Sequence, residues 1–178
     1  MKKKKSKIAL FIGRFQPFHK GHFFALRQAL KKFDKVIIGI GSINVLNEKN
    51  PFTFEERKKM IKESLKNFKG KYKIIGISDF PDDLEWRNYC LKKANFDVVV
   101  TGSAWVKKCF EGIKPVVKPK FLERKKYSAT RIRELIRKNE KWENLVPKNV
   151  ARYIKKIKGE ERIRQLASTH RVSRVLKF

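Results

Sequence analysis

Short runs of β-branched residues alternate along this chain with amphipathic stretches, and that alternation narrows the possible folds more than any other feature. The runs at 8–12, 36–40, 72–77, 97–101 and 115–117 read as strands. Helical patterns fill most of the gaps, at 21–32, 54–67, 84–94 and 103–111. Strands that alternate with helices cannot pair as hairpins, so they form a parallel sheet with helices on both faces. Right-handed crossovers then give a doubly wound, five-stranded α/β fold of Rossmann-like type.

Several element boundaries carry their own chemistry. Thr53-Phe-Glu-Glu56 is a capping box, in which Thr53 caps a backbone N–H and Glu56 reaches back. Pro147 suits the first turn of a helix running towards Lys158, and Gly159 suits its C-terminal stop. From Ser128 onward the pattern is helical with no further strand. The expected organisation is an α/β nucleotide-binding part over 1–127, a helical C-terminal subdomain of the same domain over 128–167, and a mobile tail over 168–178 that lacks periodicity.

Composition closes off other classes. A chain of 178 residues with 41% hydrophobic content supports one packed domain. No apolar run approaches the ~20 residues of a membrane-spanning helix. The basic start, Met1 to Lys7, followed by apolar 8–12 imitates a signal peptide, but Gly13-Arg14 ends the run without a cleavage site. The expectation is a soluble cytoplasmic protein without a membrane partner. Cys90 and Cys109 lack metal-ligand spacing and read as reduced thiols used as small apolar side chains. The net charge of +29 attracts polyanions, yet lysines spread over a whole chain are usually solvated faces. Charge alone therefore raises a basic nucleic-acid-binding protein as an alternative without establishing it.

Gly13-Arg-Phe-Gln-Pro-Phe-His-Lys-Gly-His22 follows the first strand and opens the first helix. In open α/β sheets ligands bind at the carboxyl ends of the strands, and a helix N-terminus there offers N–H groups to phosphate. Gly13 lets the backbone approach a ligand, Pro17 stiffens the turn, and Gly21 admits close packing. His19 and His22 stand one helical turn apart, so both imidazoles aim the same way. A metal site is the rival, but no nearby carboxylate or cysteine completes a ligand set. A second stretch, Tyr127-Ser-Ala-Thr-Arg-Ile-Arg133, offers Ser128 as a helix cap, Thr130 as a hydroxyl donor and Arg133 as a forked cation. By itself it reads as an ordinary capped helix with surface arginines, and only beside the first stretch does phosphate binding become the favoured reading.

Together the two stretches resemble the paired signatures of the nucleotidylyltransferase superfamily, Gly-x-Phe-x-Pro-x-His-x-Gly-His and Ile-Ser-x-Thr-x-x-Arg, with Tyr127 replacing the usual aliphatic residue. Gly13-Arg-Phe-Gln-Pro, Asn50-Pro-Phe-Thr-x-x-Glu-Arg57, the spacing of Asp79 to Trp86, and Leu145-Val-Pro-Lys-x-Val150 are similar to the archaeal-type nicotinamide-nucleotide adenylyltransferases. The resemblance implies transfer of AMP from ATP to nicotinamide mononucleotide, giving NAD and pyrophosphate, with Mg²⁺ accompanying ATP. It implies His19, His22 and Arg133 as the catalytic groups. It implies ATP contacts from Gly13, Arg14, Phe15, His19, Gly21, His22, Thr101, Gly102, Tyr127, Ser128, Thr130 and Arg133. It implies mononucleotide contacts from Phe15, Arg57, Asp83 and Trp86, with no protein metal ligand. Without the resemblance, Trp86 reads as a core aromatic.

Three departures bear on the substrate. Asp83 replaces an expected asparagine facing the carboxamide, a change that favours a cationic pyridinium and repels nicotinate. Ser103 replaces an asparagine after Thr101-Gly102, and the loop over 42–49 differs from the pattern. The resemblance further implies a homo-oligomer, often hexameric, with no specific nucleic-acid partner. Other superfamily enzymes, such as flavin mononucleotide or phosphopantetheine adenylyltransferases, are the near alternatives. A regulatory domain that binds nucleotide without turnover is disfavoured by the two intact motifs.

Overall fold

A computed structural model describes the backbone over 7–175 and the side chains over 7–168. The basic start before Lys7 lies outside the described residues, as do Leu176 to Phe178. The chain divides into two compact units that interleave in sequence. One comprises the described residues up to Arg14 together with Phe24–Asn44 and Phe68–Phe121; the other comprises Phe15–Phe23, Val45–Asn67 and the described residues from Leu122 on.

The first unit holds the sheet. Strands β1 (Ile8–Gly13), β2 (Lys35–Ile40), β3 (Tyr72–Gly76), β4 (Val98–Val100) and β5 (Val116–Val117) are all parallel, in the order β3-β2-β1-β4-β5. This is the five-stranded, doubly wound sheet expected from the alternation. Strand β1 is central, pairing Ile8 with Lys35 on one side and Ala9 with Val98 on the other. Ala9, Leu10, Phe11 and Ile12 are buried in sequence, as a strand covered on both faces requires. The chain steps out from β1 to β2 and β3, then returns to place β4 on the opposite flank of β1. The carboxyl ends of β1 and β4 thus flank the topological switch point where such sheets bind ligands.

Helices α1 (Lys20–Lys32), α3 (Asp83–Lys93) and α4 (Ala104–Phe110) alternate with these strands. Leu10, Ile37, Ile77, Trp86, Phe96 and Phe110 share one core with Cys90 and Cys109. Both cysteines are free and buried, as the sequence implied. Burial pushes the Cys90 thiol up to about 12.

The second unit is built on α2 (Phe54–Leu65), α5 (Ala129–Arg137), a 3-10 turn at Glu143–Leu145, α6 (Lys148–Lys156) and α7 (Gly159–Val175). The capping box forms: Thr53 Oγ1 accepts from the Glu56 N–H at 3.3 Å, and Glu56 Oε2 accepts from the Thr53 N–H at 2.9 Å. Glu56 Oε2 also meets Arg162 Nη1 at 2.7 Å, tying α7 to the start of α2.

Two expectations need correction. Gly159 does not stop a helix by taking a left-handed backbone; Lys158 does so, at φ 53°, and Gly159 begins α7. Glycine is required there for closeness, because an added Cβ would lie 2.9 Å from the Phe52 ring and 3.1 Å from the Ile154 carbonyl oxygen. The stretch from Ser168 to Val175, read as aperiodic, continues α7.

Candidate phosphate-binding site

In the second unit the residues after β1 form a tight, aromatic-lined turn. Phe15 is 1% exposed and takes φ 53°, a left-handed backbone that costs a non-glycine residue energy and concentrates at functional sites. Its ring meets His22 edge-on at 5.0 Å between centroids, and Phe18 stacks on His22 at 5.8 Å. His19 and His22 stack on each other at 3.5 Å with their planes 21° apart. The sequence spacing predicted imidazoles aimed together, and the structure stacks them.

Backbone donors fix the state of both rings. The His22 N–H donates to His19 Nδ1 at 3.2 Å, and the His19 N–H donates to His22 Nδ1 at 3.4 Å. A nitrogen that accepts carries no proton, so each neutral ring bears its hydrogen on Nε2. Burial reinforces this. Desolvation lowers His19 from the usual 6.5 to about 3. His22 is likewise held well below 6.5, by desolvation first and by the neighbouring His19 second. The pair therefore presents two neutral N–H donors rather than two cations.

The second motif meets this turn. A Cβ added at Gly21 would stand 3.1 Å both from the His19 ring and from Tyr127 Cβ, so the residue before the α5 cap packs close to the imidazole across Gly21. Ser128 caps α5, its hydroxyl accepting from the Arg131 N–H at 3.2 Å. Thr130 lies exposed in the first turn of that helix. Arg133, 6% exposed, donates from Nη1 to the Gln16 carbonyl at 2.7 Å. The late helix thus delivers its guanidinium to the loop that carries the histidines.

Arg57 lies on α2 and is 0% exposed, with Nε donating to the Thr53 carbonyl at 3.1 Å. The Asn50–Thr53 loop before α2 is bound to the histidine loop through Gln16, whose carboxamide donates to and accepts from the Phe52 backbone. Sequence reasoning gave Gln16 no role. Its only signal was its place inside the motif, since its partners are 36 and 117 residues away.

The first unit carries the remaining predicted residues. Gly13 ends β1 and Arg14 is exposed beyond it. Thr101 and Gly102 follow the adjacent strand β4. Thr101 Oγ1 accepts from the Ser103 N–H at 3.1 Å, and Ser103 in turn caps α4. Gly102 admits Phe121, since an added Cβ would fall 2.1 Å from Phe121 Cζ. Asp83 is exposed in the first turn of α3 and accepts from Trp105 Nε1 at 2.8 Å. Trp86 is 3% exposed, lying 4.4 Å from the half-exposed Trp105 ring and 5.9 Å from that of Phe110. Trp105, which the sequence reading passed over, is thus the outward aromatic of this group. Among the described residues no cluster of three His, Cys, Asp or Glu side chains is placed to hold a metal ion.

Comparison with known proteins agrees with this layout. A family model described as cytidylyltransferase-like matches residues 10–135, a span containing both motifs. The nicotinamide-nucleotide adenylyltransferase of Pyrococcus furiosus is 45% identical over 170 residues, covering 91% of this chain and 90% of that protein. That of Methanococcus aeolicus is 43% identical over 162 residues, covering 89% and 94%. Among solved structures, a bifunctional NMN adenylyltransferase/ADP ribose pyrophosphatase from Francisella tularensis, complexed with AMP and Mn ion, matches at TM-score 0.74 and 25% identity. That match covers 96% of this chain but 56% of the Francisella chain, so this protein spans little more than half of it. With both motifs inside the matched span and nearly full coverage of two relatives, the chain belongs to the nicotinamide-nucleotide adenylyltransferase family, within the cytidylyltransferase-like group.

Proposed function

We propose that this protein transfers the adenylyl group of ATP to nicotinamide mononucleotide, forming NAD and pyrophosphate. The observation that carries the proposal is the meeting of the stacked histidines with the α5 terminus and Arg133 in one unit. A 5′-phosphate oxygen of the mononucleotide attacks the α-phosphorus of ATP. The new P–O bond forms as the bond to the bridging oxygen breaks, and pyrophosphate leaves with that electron pair. The attacking phosphate has a second pKa of about 6 and is ionised at neutral pH, so no general base is required. The protein's task is to bring two polyanions together and to stabilise charge on the α-phosphate and the leaving group.

The two Nε2–H groups serve as fixed donors for that charge, and Arg133 supplies the positive counterpart. Phe15, Gly21, Tyr127, Ser128 and Thr130 shape the ATP phosphate cradle around them; Arg57, expected from the sequence at the acceptor phosphate, is instead 0% exposed and bonded to the Thr53 carbonyl, so it braces the loop before α2. In the other unit, Gly13, Arg14, Thr101 and Gly102 are assigned to ATP. Asp83 and Trp86 are assigned to the pyridine ring, where a carboxylate favours nicotinamide over the anionic nicotinate form. Magnesium enters as Mg·ATP, carried on substrate oxygens and water. We place the reaction in the cytoplasm and expect a homo-oligomer, with the hexamer as the candidate assembly.

The test is pyrophosphate release by the purified chain with ATP and Mg²⁺, run in parallel with nicotinamide mononucleotide, nicotinate mononucleotide, flavin mononucleotide and phosphopantetheine. NAD formation with the first acceptor is expected. Inert nicotinamide mononucleotide alongside turnover of another acceptor overturns the substrate assignment.

A further inference from the structure

Gln16 is 2% exposed, and both ends of its carboxamide serve one residue. Nε2 donates to the Phe52 carbonyl at 3.0 Å, and Oε1 accepts from the Phe52 N–H at 2.9 Å. Two bonds, one to the N–H and one to the C=O of the same residue, remove the pivot that one bond would leave. The main chain of Gln16 is used as well, its carbonyl accepting from Arg133 Nη1 at 2.7 Å. One residue beyond Phe52, the Thr53 carbonyl accepts from Arg57 Nε at 3.1 Å. A path of hydrogen bonds and main chain therefore runs from Arg133 through Gln16, Phe52 and Thr53 to Arg57, which is buried and completes the brace.

Anchoring the loop to the fold does not depend on this clamp. Arg162 already holds the loop from the other side, donating from Nη1 to the Pro51 carbonyl at 3.2 Å and to both carboxylate oxygens of Glu56, at 2.9 and 2.7 Å. The Phe52 ring is itself 0% exposed. What the Gln16 clamp adds is a fixed position for the histidine loop against Arg133.

We propose that Gln16 is a positioning residue: its amide clamp fixes the histidine loop and Arg133 against one another, and hence the donors that meet the reacting phosphate. This rests on the adenylyl-transfer reading above. The substrates can still bind when that register loosens, but attack needs the reacting atoms within about 3.5 Å, and a misplacement of about 1 Å costs on the order of 100-fold. Loss of the clamp should therefore appear in kcat rather than in KM.

The test compares Gln16→Met, which keeps the side chain's length without its bonds, with Arg162→Met, which loosens the same loop outside the path. For Gln16→Met, kcat should fall at least about 30-fold while KM for ATP and for the mononucleotide, and their calorimetric Kd values, stay within about threefold. Arg162→Met should lower Tm yet keep kcat within about threefold of the parent. Unchanged kcat in Gln16→Met overturns the proposal, as does a loss confined to KM or an equal kcat loss in Arg162→Met. If Gln16→Met does not fold, Gln16→Glu takes its place under the same criteria. Failure of both to fold also overturns the proposal, because the clamp would then be a requirement of the fold. A parent protein inactive with every acceptor sinks the transfer reading itself, whereas an active parent with an unaffected Gln16→Met sinks only the positioning role.

Discussion

With both Nδ1 atoms occupied by backbone N–H groups and both rings desolvated, His19 and His22 are neutral, and under the proposed reading they meet the nucleotide as donors. Replacing His22 by alanine removes one donor aimed at developing charge and should lower kcat by about 10²–10³-fold without unfolding the protein. Pyrophosphate release and circular dichroism check the two halves of that statement. Because neither imidazole titrates near neutrality, the acid limb of kcat/KM should follow the acceptor phosphate at about pH 6 and keep its midpoint in the His22→Ala protein. Stability behaves differently. The unfolded chain protonates His19 near 6.5 and the folded protein only near 3, so the unfolded state gains protons first on acidification. The contribution of His19 to stability is complete above pH 6.5 and is lost as pH falls towards 3. Urea midpoints should therefore drop more steeply through that window in the parent than in His19→Gln. Asp83 gives a substrate-level prediction: Asp83→Asn should raise the ratio of nicotinate to nicotinamide turnover, measured with both mononucleotides side by side.

At the level of elements, most of the fold was legible because local chemistry wrote it. Buried apolar runs marked β1 and β2, and side-chain caps marked the starts of α2 and α5. Strand β5 is only Val116–Val117, yet its β-branched pair stood out. What escaped the sequence was whatever depends on distant partners. Gly159 has the spacing of a helix stop, but the ring of Phe52 beside it explains its need for no side chain. Gln16 and Trp105 carry no periodicity, and their meaning rests on Phe52, Arg133 and Asp83. Gly159→Ala should destabilise the protein by about 1–3 kcal/mol by urea unfolding, since the ring and the Ile154 carbonyl both stand in the way. Ser128→Ala should cost about 1 kcal/mol through loss of the α5 cap.

For the whole molecule, the dominant quantity is the net charge of +29. A field of that sign draws ATP and the mononucleotide inward, so kcat/KM should fall with added salt while kcat changes little. The same assay with a polyanion present separates steering from competition, because nonspecific nucleic-acid binding would inhibit at low salt and release at high salt. Among the described residues no helix is long and apolar enough to cross a membrane. The buried cysteines have a practical consequence at this scale. Cys90 is 1% exposed and Cys109 7%, and desolvation raises both thiols, with Asp83 adding to the effect at Cys109. A thiolate-seeking dye should label the folded enzyme only slowly and find two sites at once in denaturant. The slow labelling that remains under native conditions then clocks how often the sheet core opens, which makes the wild-type chain its own sensor of conformational stability, with no fluorophore engineered in.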